Sequence, residues 1–558
     1  MKNSVVRIIM VLIAFFIAQS LYAATQPAKG TVQKTPAPVQ SKAPVGTAKS
    51  ASTPIKQISV IGKPSIQPTK NPSTIINNFF TSAGSAGKVM SIENMLGDAY
   101  QPAVGIDDAG NIIAVWQQWD SNPMRYNIWS NRYDAVSGTW GTAGAIGSDP
   151  KIDQGDVEML HIAMNGKGNA VVVWLQFSPN DLKSHVWANE FYANSLTWGV
   201  AKRLGQSSLL VGEESFPQVA INDAGYAVAA WESIENERSR IRASIFTGKS
   251  WTNSELIDFS NMGDAEAPQV AINDWNYSQV VWIQDNGKTS ALWSNQTYDL
   301  THWNSSAIVI DPGTQWKVYY PKIATNNHSS IIVWEQYSTK WRVMANVCYL
   351  KKCKTTTVNE GGDSPSVAIK NTKDGTHEAV IVWLGGPGGW FGTYLYSSRY
   401  SFGTDKWDGP VPIGEQKGVS VKEKISMDDF GNVYMVCEKL DTSESTPSII
   451  GAGYDVLKKQ WSFSPVILSK MSKDDGNLLT VPKSTLPNVN FGNQTNFLDS
   501  LPTANPNGQT NNTSQNKQSP YRLVPMLAVN RNGTAMATIW AIPDADGAHT
   551  SIWVNIIK

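Results

Sequence analysis

The distribution of apolar positions along the chain is dominated by one sequence motif, which we call the phrase and which recurs at regular intervals. In "QPAVGIDDAGNIIAVW", which ends at Trp116, a short alternating run leads into an Asp/Gly turn, and a continuous apolar run then ends on tryptophan. Alternation predicts a strand with one buried face, whereas an all-apolar run predicts a strand buried on both faces. Each phrase therefore predicts a β-hairpin, in which a glycine such as Gly110 supplies the positive φ of a tight turn.

The phrase occurs eight times, and most copies are 49 to 58 residues apart. A fixed period of this size is typical of solenoids, propellers and arrays. Seven copies end on tryptophan and one ends on cysteine, at Trp116, Trp174, Trp231, Trp282, Trp334, Trp383, Cys437 and Trp540. Of the 22 tryptophans, 17 occupy three repeating positions, so we expect them to serve packing rather than stacking on a sugar.

A third and a fourth strand are predicted after each hairpin. Most third strands carry an aromatic residue near their end, and a tryptophan five to seven residues later opens the fourth strand, a spacing suited to cross-strand contact. The predicted pairs are Tyr133/Trp140, Tyr192/Trp198, Phe246/Trp251, Tyr298/Trp303, Tyr400/Trp407 and Tyr454/Trp461. Four antiparallel strands in each of eight units predict an all-β fold, an eight-bladed β-propeller whose blades cover one another's faces around an axis.

The two ends of the chain are expected to meet in one blade. The last copy of the phrase has only three predicted strands before Lys558. Residues 87–100, ahead of the first copy, have the strand-then-turn pattern of the other fourth strands. We therefore expect this N-terminal segment to complete the last blade, which would protect otherwise open sheet edges.

Residues 1–23 have the pattern of a secretory signal peptide. Lys2 and Arg7 precede an apolar run, and small residues around Ala23 offer a cleavage site. A membrane anchor is the alternative interpretation, but the run is shorter than the roughly 20 residues that a membrane span needs. We therefore expect an exported protein that is extracellular, attached to the cell surface or periplasmic.

Two further segments differ in composition from the repeats. Residues 24–74 are rich in Pro, Ala, Thr and Lys and contain seven lysines, which predicts a disordered basic linker. This linker could contact an anionic cell envelope electrostatically or act as a plain spacer. The propeller is assigned to residues 75–558, with an Asn-, Gln-, Ser- and Pro-rich insertion at about 471–520, for which a decayed ninth blade is the alternative.

The three cysteines occupy repeat positions that are otherwise aromatic. Cys348 and Cys353 replace an aromatic pair in the fifth unit, at the same separation of five as Phe246 and Trp251. Facing residues of a hairpin lie close enough to bridge, so we predict a structural disulfide, which suits an oxidising compartment. Metal binding is the rival interpretation, but two thiols without a nearby histidine make a poor site. Cys437 takes a buried tryptophan position and is expected to be a free thiol.

No catalytic, cofactor-binding or metal-ligating residues are predicted. The histidines lack metal-ligand spacing, no glycine-rich phosphate loop occurs, and acidic turns such as residues 107–108 are interpreted as hairpin turns rather than calcium ligands. Glu232, Glu335 and Glu438 follow the aromatic or cysteine residue at the end of the second strand. A hydrolase could use a pair of carboxylates at this place. The glutamates recur at one position of the repeat, however, which favours the interpretation that they were inherited with it.

The aromatic hairpins "YDAVSGTW" and "YDVLKKQW" resemble the kelch-type repeat, although the kelch double glycine is absent. The first hairpin, "YDAVSGTW", also resembles the Asp-box of sialidases without matching it fully. Over residues 87–558 the chain resembles exported bacterial β-propeller repeat proteins in architecture, and no active residues of the kelch or sialidase families can be placed on it.

These features lead to one main functional hypothesis and two alternatives. The main hypothesis is a non-enzymatic, monomeric binding scaffold that recognises a protein or carbohydrate ligand, and not nucleic acid, through loops of the propeller. The alternatives are a glycan-active hydrolase of the sialidase-like propeller type and a structural protein of the cell envelope. The sequence leaves the ligand and the face of the ring that binds it open.

Overall fold

The structure is a computed structural model that describes residues 90–93, 97–121, 124–147, 155–205, 211–258, 263–285, 289–312, 316–350, 352–370, 378–385, 394–413, 419–440, 448–461, 466–470, 524–543 and 549–558. The predicted signal peptide (1–23), linker (24–74) and insertion (471–520) lie outside the described residues. Every regular element within the described ranges is a β-strand. Over the same ranges, no helix has the length and apolarity that crossing a membrane requires.

Eight separate antiparallel sheets confirm the prediction of an eight-bladed propeller. In four blades the fourth position is shared by two short strands that both pair with the third strand. The first four blades consist of β2 (Ala99–Ile106), β3 (Ile112–Ser121), β4 (Met124–Asp134), β5 (Thr139–Trp140) and β6 (Gly144–Ala145); β7 (Val157–Met164), β8 (Ala170–Ser178), β9 (Lys183–Tyr192), β10 (Thr197–Trp198) and β11 (Lys202–Arg203); β12 (Val211–Ile221), β13 (Ala227–Glu235), β14 (Arg238–Phe246) and β15 (Glu255–Leu256); and β16 (Ala265–Ile272), β17 (Ser278–Asp285), β18 (Ser290–Thr297) and β19 (Ile308–Asp311).

The other four blades follow the same order, and the last of them takes its fourth strand from the other end of the chain. They consist of β20 (Lys317–Thr325), β21 (Ser329–Tyr337), β22 (Trp341–Tyr349) and β23 (Lys352–Glu360); β24 (Asp363–Ile369), β25 (Glu378–Gly385), β26 (Tyr394–Ser401), β27 (Lys406–Trp407) and β28 (Val411–Pro412); β29 (Val419–Met427), β30 (Val433–Leu440), β31 (Ser448–Asp455), β32 (Gln460–Trp461) and β33 (Val466–Lys470); and β34 (Met526–Val529), β35 (Met536–Pro543), β36 (Thr550–Ile557) and β1 (Met90–Ser91).

The ring closes in the last blade, as expected from the sequence. Strand β1 pairs antiparallel with β36, with Met90 opposite Val554 and Ser91 opposite Trp553. The backbone N–H of Ile92 continues this ladder to the carbonyl of Ile552 at 3.2 Å. The closing strand is shorter than the segment 87–100 that was expected to form it, because Ala99 already begins the first strand of blade one.

The core consists of eight clusters of buried apolar side chains, one at each interface between neighbouring blades. The seven recurrent tryptophans lie within the second strands, which continue past them instead of ending there as expected, and all are at most 1% exposed. Cys437 at the eighth position is fully buried. Three of the indole N–H groups donate to a glutamine two residues further along the strand, in the pairs Trp116–Gln118, Trp174–Gln176 and Trp282–Gln284. The recurrent tryptophan therefore packs between blades, as the repeat pattern predicted.

Four of the predicted aromatic pairs form as expected, at centroid distances of 4.9 to 5.6 Å. The pair Tyr192/Trp198 is wrong by one position, because Trp198 faces Phe191 in the ladder and their rings lie 5.4 Å apart. This hairpin has the same loop length as the one in blade one, so its tryptophan pairs with the residue seven positions earlier. In blade four the ring of Tyr298 contacts Tyr277 at 5.3 Å instead of forming the expected pair.

The cysteines occupy the predicted places. Cys348 and Cys353 face each other across β22 and β23 and are joined by a disulfide, so the predicted bridge is confirmed. Cys437 is a buried free cysteine, as expected. The bridge takes the place that a ring pair such as Phe246 and Trp251 fills in another blade. A disulfide at this position is consistent with an oxidising, extracellular location.

Candidate functional site

The turns between the first and second strands of the blades converge at one end of the central axis. In seven blades the turn opens with an Asn or Asp that anchors its own loop. Oδ1 of Asn222, for example, accepts hydrogen bonds from the backbone N–H groups of Ala224 and Tyr226 at 3.1 and 3.0 Å. Asp428 makes the same contacts to Phe430 and Asn432 in blade seven. These residues are therefore turn anchors, in agreement with the interpretation drawn from the sequence.

The same first residues also join neighbouring blades. The side-chain amide of one turn donates to the backbone carbonyl of the corresponding residue in the next blade at 2.8 to 3.1 Å, from Asn165 to Asn222, Asn222 to Asn273, Asn273 to Asn326 and Asn326 to Lys370. Asparagine suits this position because its oxygen anchors the local turn while its NH₂ group reaches the neighbour. We call the resulting circle of turns the turn ring.

The second residues of the turns form a parallel set of bonds. Backbone N–H groups donate to the carboxylate or amide oxygen of the second residue in the next blade, from Gly166 to Asp223, Asp223 to Asp274 and Asp274 to Asn327, at 2.9 to 3.0 Å. The first residue of a turn thus donates a hydrogen bond from its side-chain amide, and the second residue accepts one through a side-chain oxygen. This division of roles explains why Asn-Asp recurs in the turns.

Arg531 closes the turn ring between the last and the first blades. Its Nε donates to Oδ1 of Asp108 at 2.9 Å, and its Nη1 lies 2.6 Å from Oδ2 of Asp223 in blade three. The hydrogen bond with Asp108 is the largest of the interactions that raise the pKa of the guanidinium above its ordinary value. The side chain therefore spans blades eight, one and three at the centre of the ring.

A cavity of about 190 Å³ opens inside the turn ring, and we call it the mouth cavity. Its wall is built by residues of six blades. Apolar side chains such as Ile106, Met164 and Ile272 form part of the wall, and the polar part includes turn-ring residues. The charged side chains of the wall are Asp108, Asp223, Asp274 and Arg531, which leaves a net negative charge. Within the described residues, no group of three or more His, Cys, Asp or Glu side chains could hold a metal ion.

An exposed tryptophan stands next to the mouth cavity. Trp275 directly follows the wall residue Asp274, is 58% exposed and meets the ring of His328 edge-on at a centroid distance of 4.5 Å. In blades one and three, the same turn position carries alanine. Repeat analysis missed Trp275 because it belongs to none of the three recurring tryptophan positions, although a large aromatic residue in a turn of small and polar residues was a usable signal.

The recurrent glutamates lie away from the mouth cavity. Glu232 is buried, and its Oε1 accepts the backbone N–H of Ala267 in the next blade at 2.6 Å, where a β-bulge gives Ala267 a φ of 58°. Glu335 accepts the N–H of Ser364 in the corresponding bulge of blade six. The bulge of blade three lies about six residues before its turn, or roughly 20 Å along the strand. None of Glu232, Glu335 and Glu438 lines the cavity.

Burial disfavours the charged form of these carboxyl groups. It raises the pKa of Glu232 to about 7, and the repulsion of Glu266 adds to this effect while the Ala267 N–H and the Ser215 hydroxyl oppose it. Burial also raises the pKa of Glu335 well above its ordinary range, with a further contribution from nearby Asp363. Each of these two carboxyl groups thus binds a strained backbone segment of the neighbouring blade.

No family model matches the sequence, and no curated protein matches it. Among solved structures, the chain is similar to the WD40 domain of SCAP from fission yeast, with 8% identity, coverage of 85% of this chain and 98% of that chain, and a TM-score of 0.43. It is also similar to the polysaccharide lyase Uly1, with 8% identity, coverage of 64% and 92%, and a TM-score of 0.42.

A mutant of the NanB sialidase from Streptococcus pneumoniae is similar as well, with 9% identity, coverage of 63% of this chain and 68% of that chain, and a TM-score of 0.32. These proteins include both glycan-active enzymes and a WD40 domain. At such low identities and TM-scores, the similarities do not indicate what the present chain binds.

Proposed function

We propose that this protein is a non-enzymatic binding scaffold that acts after export and takes one unit of a glycan into the mouth cavity. The single observation that carries this proposal is the cavity itself, a polar pocket on the propeller axis with an exposed tryptophan directly after its wall residue Asp274. Its volume is below the roughly 300–1,000 Å³ of pockets for drug-sized ligands, so it suits one sugar ring.

The wall chemistry favours a neutral or amino sugar. Asp274 and Asn327 each accept a backbone N–H through Oδ1, which leaves Oδ2 of Asp274 to accept a hydrogen bond from a sugar hydroxyl and the side-chain NH₂ of Asn327 to donate one. Trp275 offers an aromatic face for the apolar side of a sugar ring. Three aspartates against one arginine give the wall a net negative charge, which disfavours sugars that carry a carboxylate.

Binding is favoured over hydrolysis because three of the four charged groups of the cavity, Asp108, Asp223 and Arg531, are engaged with one another. Asp108 and Asp223 are both paired with Arg531, so their charge serves the closure of the turn ring. The glutamates that could have acted as paired carboxylates lie outside the cavity, and two of them bond to backbone N–H groups. A protein side chain is the alternative occupant of the cavity.

The test is a glycan array that contains neutral, amino and acidic sugars, run beside hydrolysis assays on the same glycans. We expect retention of neutral or amino glycans without turnover. Trp275→Ala should weaken binding about tenfold, the loss of roughly 1.4 kcal/mol of contact. Phe430→Ala is the matched control, because Phe430 holds the same turn position in blade seven and is 38% exposed, but the residue before it, Asp429, does not line the cavity as Asp274 does.

Turnover of any glycan would overturn the non-enzymatic proposal and support the hydrolase. Unchanged binding by Trp275→Ala would overturn the assignment to the mouth cavity. Retention of a protein ligand without any glycan would support the alternative occupant. Deleting residues 24–74 and following cell association separately tests whether the basic linker tethers the protein to the envelope.

A further inference from the structure

The hairpins between the third and fourth strands present exposed apolar side chains on the same face as the turn ring. This face is shared because, in an antiparallel blade, the first and the third connections lie at the same end. Four such side chains stand at hairpin tips of different blades: Val136, Leu196, Leu350 and Leu457, which are 97%, 57%, 58% and 70% exposed. Exposed apolar residues also occur at the opposite turns, such as Met124 and Leu182, so the feature that sets two of these tips apart is the pair of lysines that follows each leucine.

Two of these tips share a sequence. The fifth blade carries Leu350 followed by two lysines, and the seventh carries Leu457 followed by two lysines. Both leucines lie in the hairpin turn itself, next to the exposed lysines Lys352, Lys458 and Lys459. An apolar side chain thus protrudes with cationic groups beside it, at two places on the rim of one face. We call this pair of hairpins the Leu-Lys tips.

The hairpins between the third and fourth strands of blades five to seven have a positive balance. Their described residues include five exposed lysines, namely Lys352, Lys354, Lys406, Lys458 and Lys459. The same hairpins contain three aspartates, of which Asp405 pairs with Lys354 at 2.9 Å and Asp455 pairs with Lys458 at 3.1 Å. Lys352, Lys406 and Lys459 belong to neither of these two ion pairs, and of the three aspartates only Asp408 is left to balance their positive charge. A partner with negative charge complements these hairpins.

We propose that the Leu-Lys tips dock this face of the propeller onto an anionic phospholipid bilayer. Leucine side chains enter the boundary between headgroups and acyl chains, while the neighbouring lysines stay at the level of the phosphates. The tips suit a bilayer because each protrudes singly from its own blade and can insert independently. A protein partner would instead be expected at a contiguous apolar patch.

The docking proposal is independent of the glycan proposal, although both concern the same face. The mouth cavity opens among the turns at this end of the axis, so docking would turn it toward the membrane. A sugar that the cavity takes would then be one presented at the bilayer surface. The test of docking therefore contains no glycan, and its failure would leave the glycan proposal standing.

The experiment is flotation of the full chain with phosphatidylcholine vesicles prepared with and without phosphatidylglycerol. We expect binding only to the vesicles that contain phosphatidylglycerol, and weaker binding as salt is raised. Replacing both leucines, Leu350→Ser with Leu457→Ser, should lower the partition coefficient by roughly tenfold or more, because two apolar side chains no longer enter the bilayer. Lys352→Gln with Lys459→Gln should weaken binding mainly at low salt.

The matched control replaces exposed apolar residues at the opposite end of the blades. Met124 and Leu182 lie at turns between second and third strands and are 78% and 74% exposed, so Met124→Ser with Leu182→Ser should bind as the parent does. Equal binding to both kinds of vesicle would overturn the proposal. Parent-like binding by the leucine variant would also overturn it and would assign membrane binding to the basic segment 24–74. The thermal unfolding midpoint shows whether each variant is folded.

Discussion

Arg531 in the last blade donates hydrogen bonds from Nε and Nη2 to the two carboxylate oxygens of Asp108 in the first blade, at 2.9 and 2.5 Å. The guanidinium passes over Gly166 of blade two before it reaches Asp223 of blade three. A Cβ on Gly166 would lie 1.8 Å from Nη2 of Arg531. Blades three to five have an aspartate or asparagine at this turn position, so blade two differs where the arginine needs the space.

The first prediction is that Gly166→Ala destabilises the ring closure. The methyl group would displace Arg531 from Asp108, so we expect a loss of about 1–3 kcal/mol in the free energy of unfolding. Urea titration of the parent and the variant measures the difference. Gly144→Ala is the control, because an added Cβ there meets no atom within 4 Å. Equal stability of the two variants would contradict the role assigned to Gly166.

The repeat pattern was sufficient to predict the number of blades, the buried tryptophans and the disulfide, because all of these follow from positions within one unit. Cys348 and Cys353 could be paired since they inherit the register of an aromatic hairpin. The partner of Trp198 was misplaced because residue type suggested Tyr192, whereas loop length sets the register and selects Phe191.

The mouth cavity could not be predicted from the repeat. It depends on contacts across the ring, such as Arg531 with Asp108 and Asp223, which belong to no single unit and exist only once the blades close. Trp275 was overlooked for a related reason. Its importance comes from what surrounds it in the ring, whereas the pattern of the chain marks only residues that recur.

The second prediction concerns the disulfide of blade five. Cys348→Ala with Cys353→Ala should lower the free energy of unfolding by about 2 kcal/mol, the chain-entropy value for so short a loop. Cys348→Phe with Cys353→Trp should restore part of this loss, because it introduces the ring pair that Phe246 and Trp251 form at the same spacing. Thermal or urea unfolding under oxidising conditions measures both variants.

The parent protein, with and without a reductant, is the control for these two double variants. Adding a reductant should lower the stability of the parent toward that of the alanine variant and leave both variants unchanged. Labelling of both cysteines by an alkylating agent in unreduced protein would contradict the bridge. A phenylalanine-tryptophan variant no more stable than the alanine variant would show that the two kinds of cross-strand contact are not equivalent.

The third prediction compares two buried tryptophans that occupy the same repeat position. The indole N–H of Trp282 donates to Oε1 of Gln284 at 3.1 Å, whereas Nε1 of Trp334 has no hydrogen-bond partner among the described residues. Phenylalanine removes the same volume at both sites, but at Trp282 it also removes a buried hydrogen bond. We expect Trp282→Phe to cost about 1 kcal/mol more than Trp334→Phe in urea titrations. Equal costs would indicate that this hydrogen bond contributes no net stability.

The fourth prediction concerns the pH dependence caused by Glu232. Burial raises its pKa from 4.5 to about 7 in the folded chain. Between these values the folded protein keeps a proton that the unfolded chain has released, so stability falls as pH rises through this window. Above pH about 7 the loss is complete and amounts to at most about 3 kcal/mol. Glu232→Gln should therefore be more stable than the parent at high pH, because its amide oxygen still accepts the N–H of Ala267 without titrating.

Urea titrations well below and well above this window measure the effect as the difference between the two pH values. The advantage of Glu232→Gln over the parent should be small near pH about 4.5, where Glu232 is protonated in the folded chain, and should reach its maximum above pH about 7. Glu255→Gln is the control for the same substitution at an exposed carboxyl group, on β15. If the stability advantage of Glu232→Gln is the same at both pH values, this carboxyl group does not titrate in the window. Its contact with the bulge of blade four would then be an ordinary charged hydrogen bond.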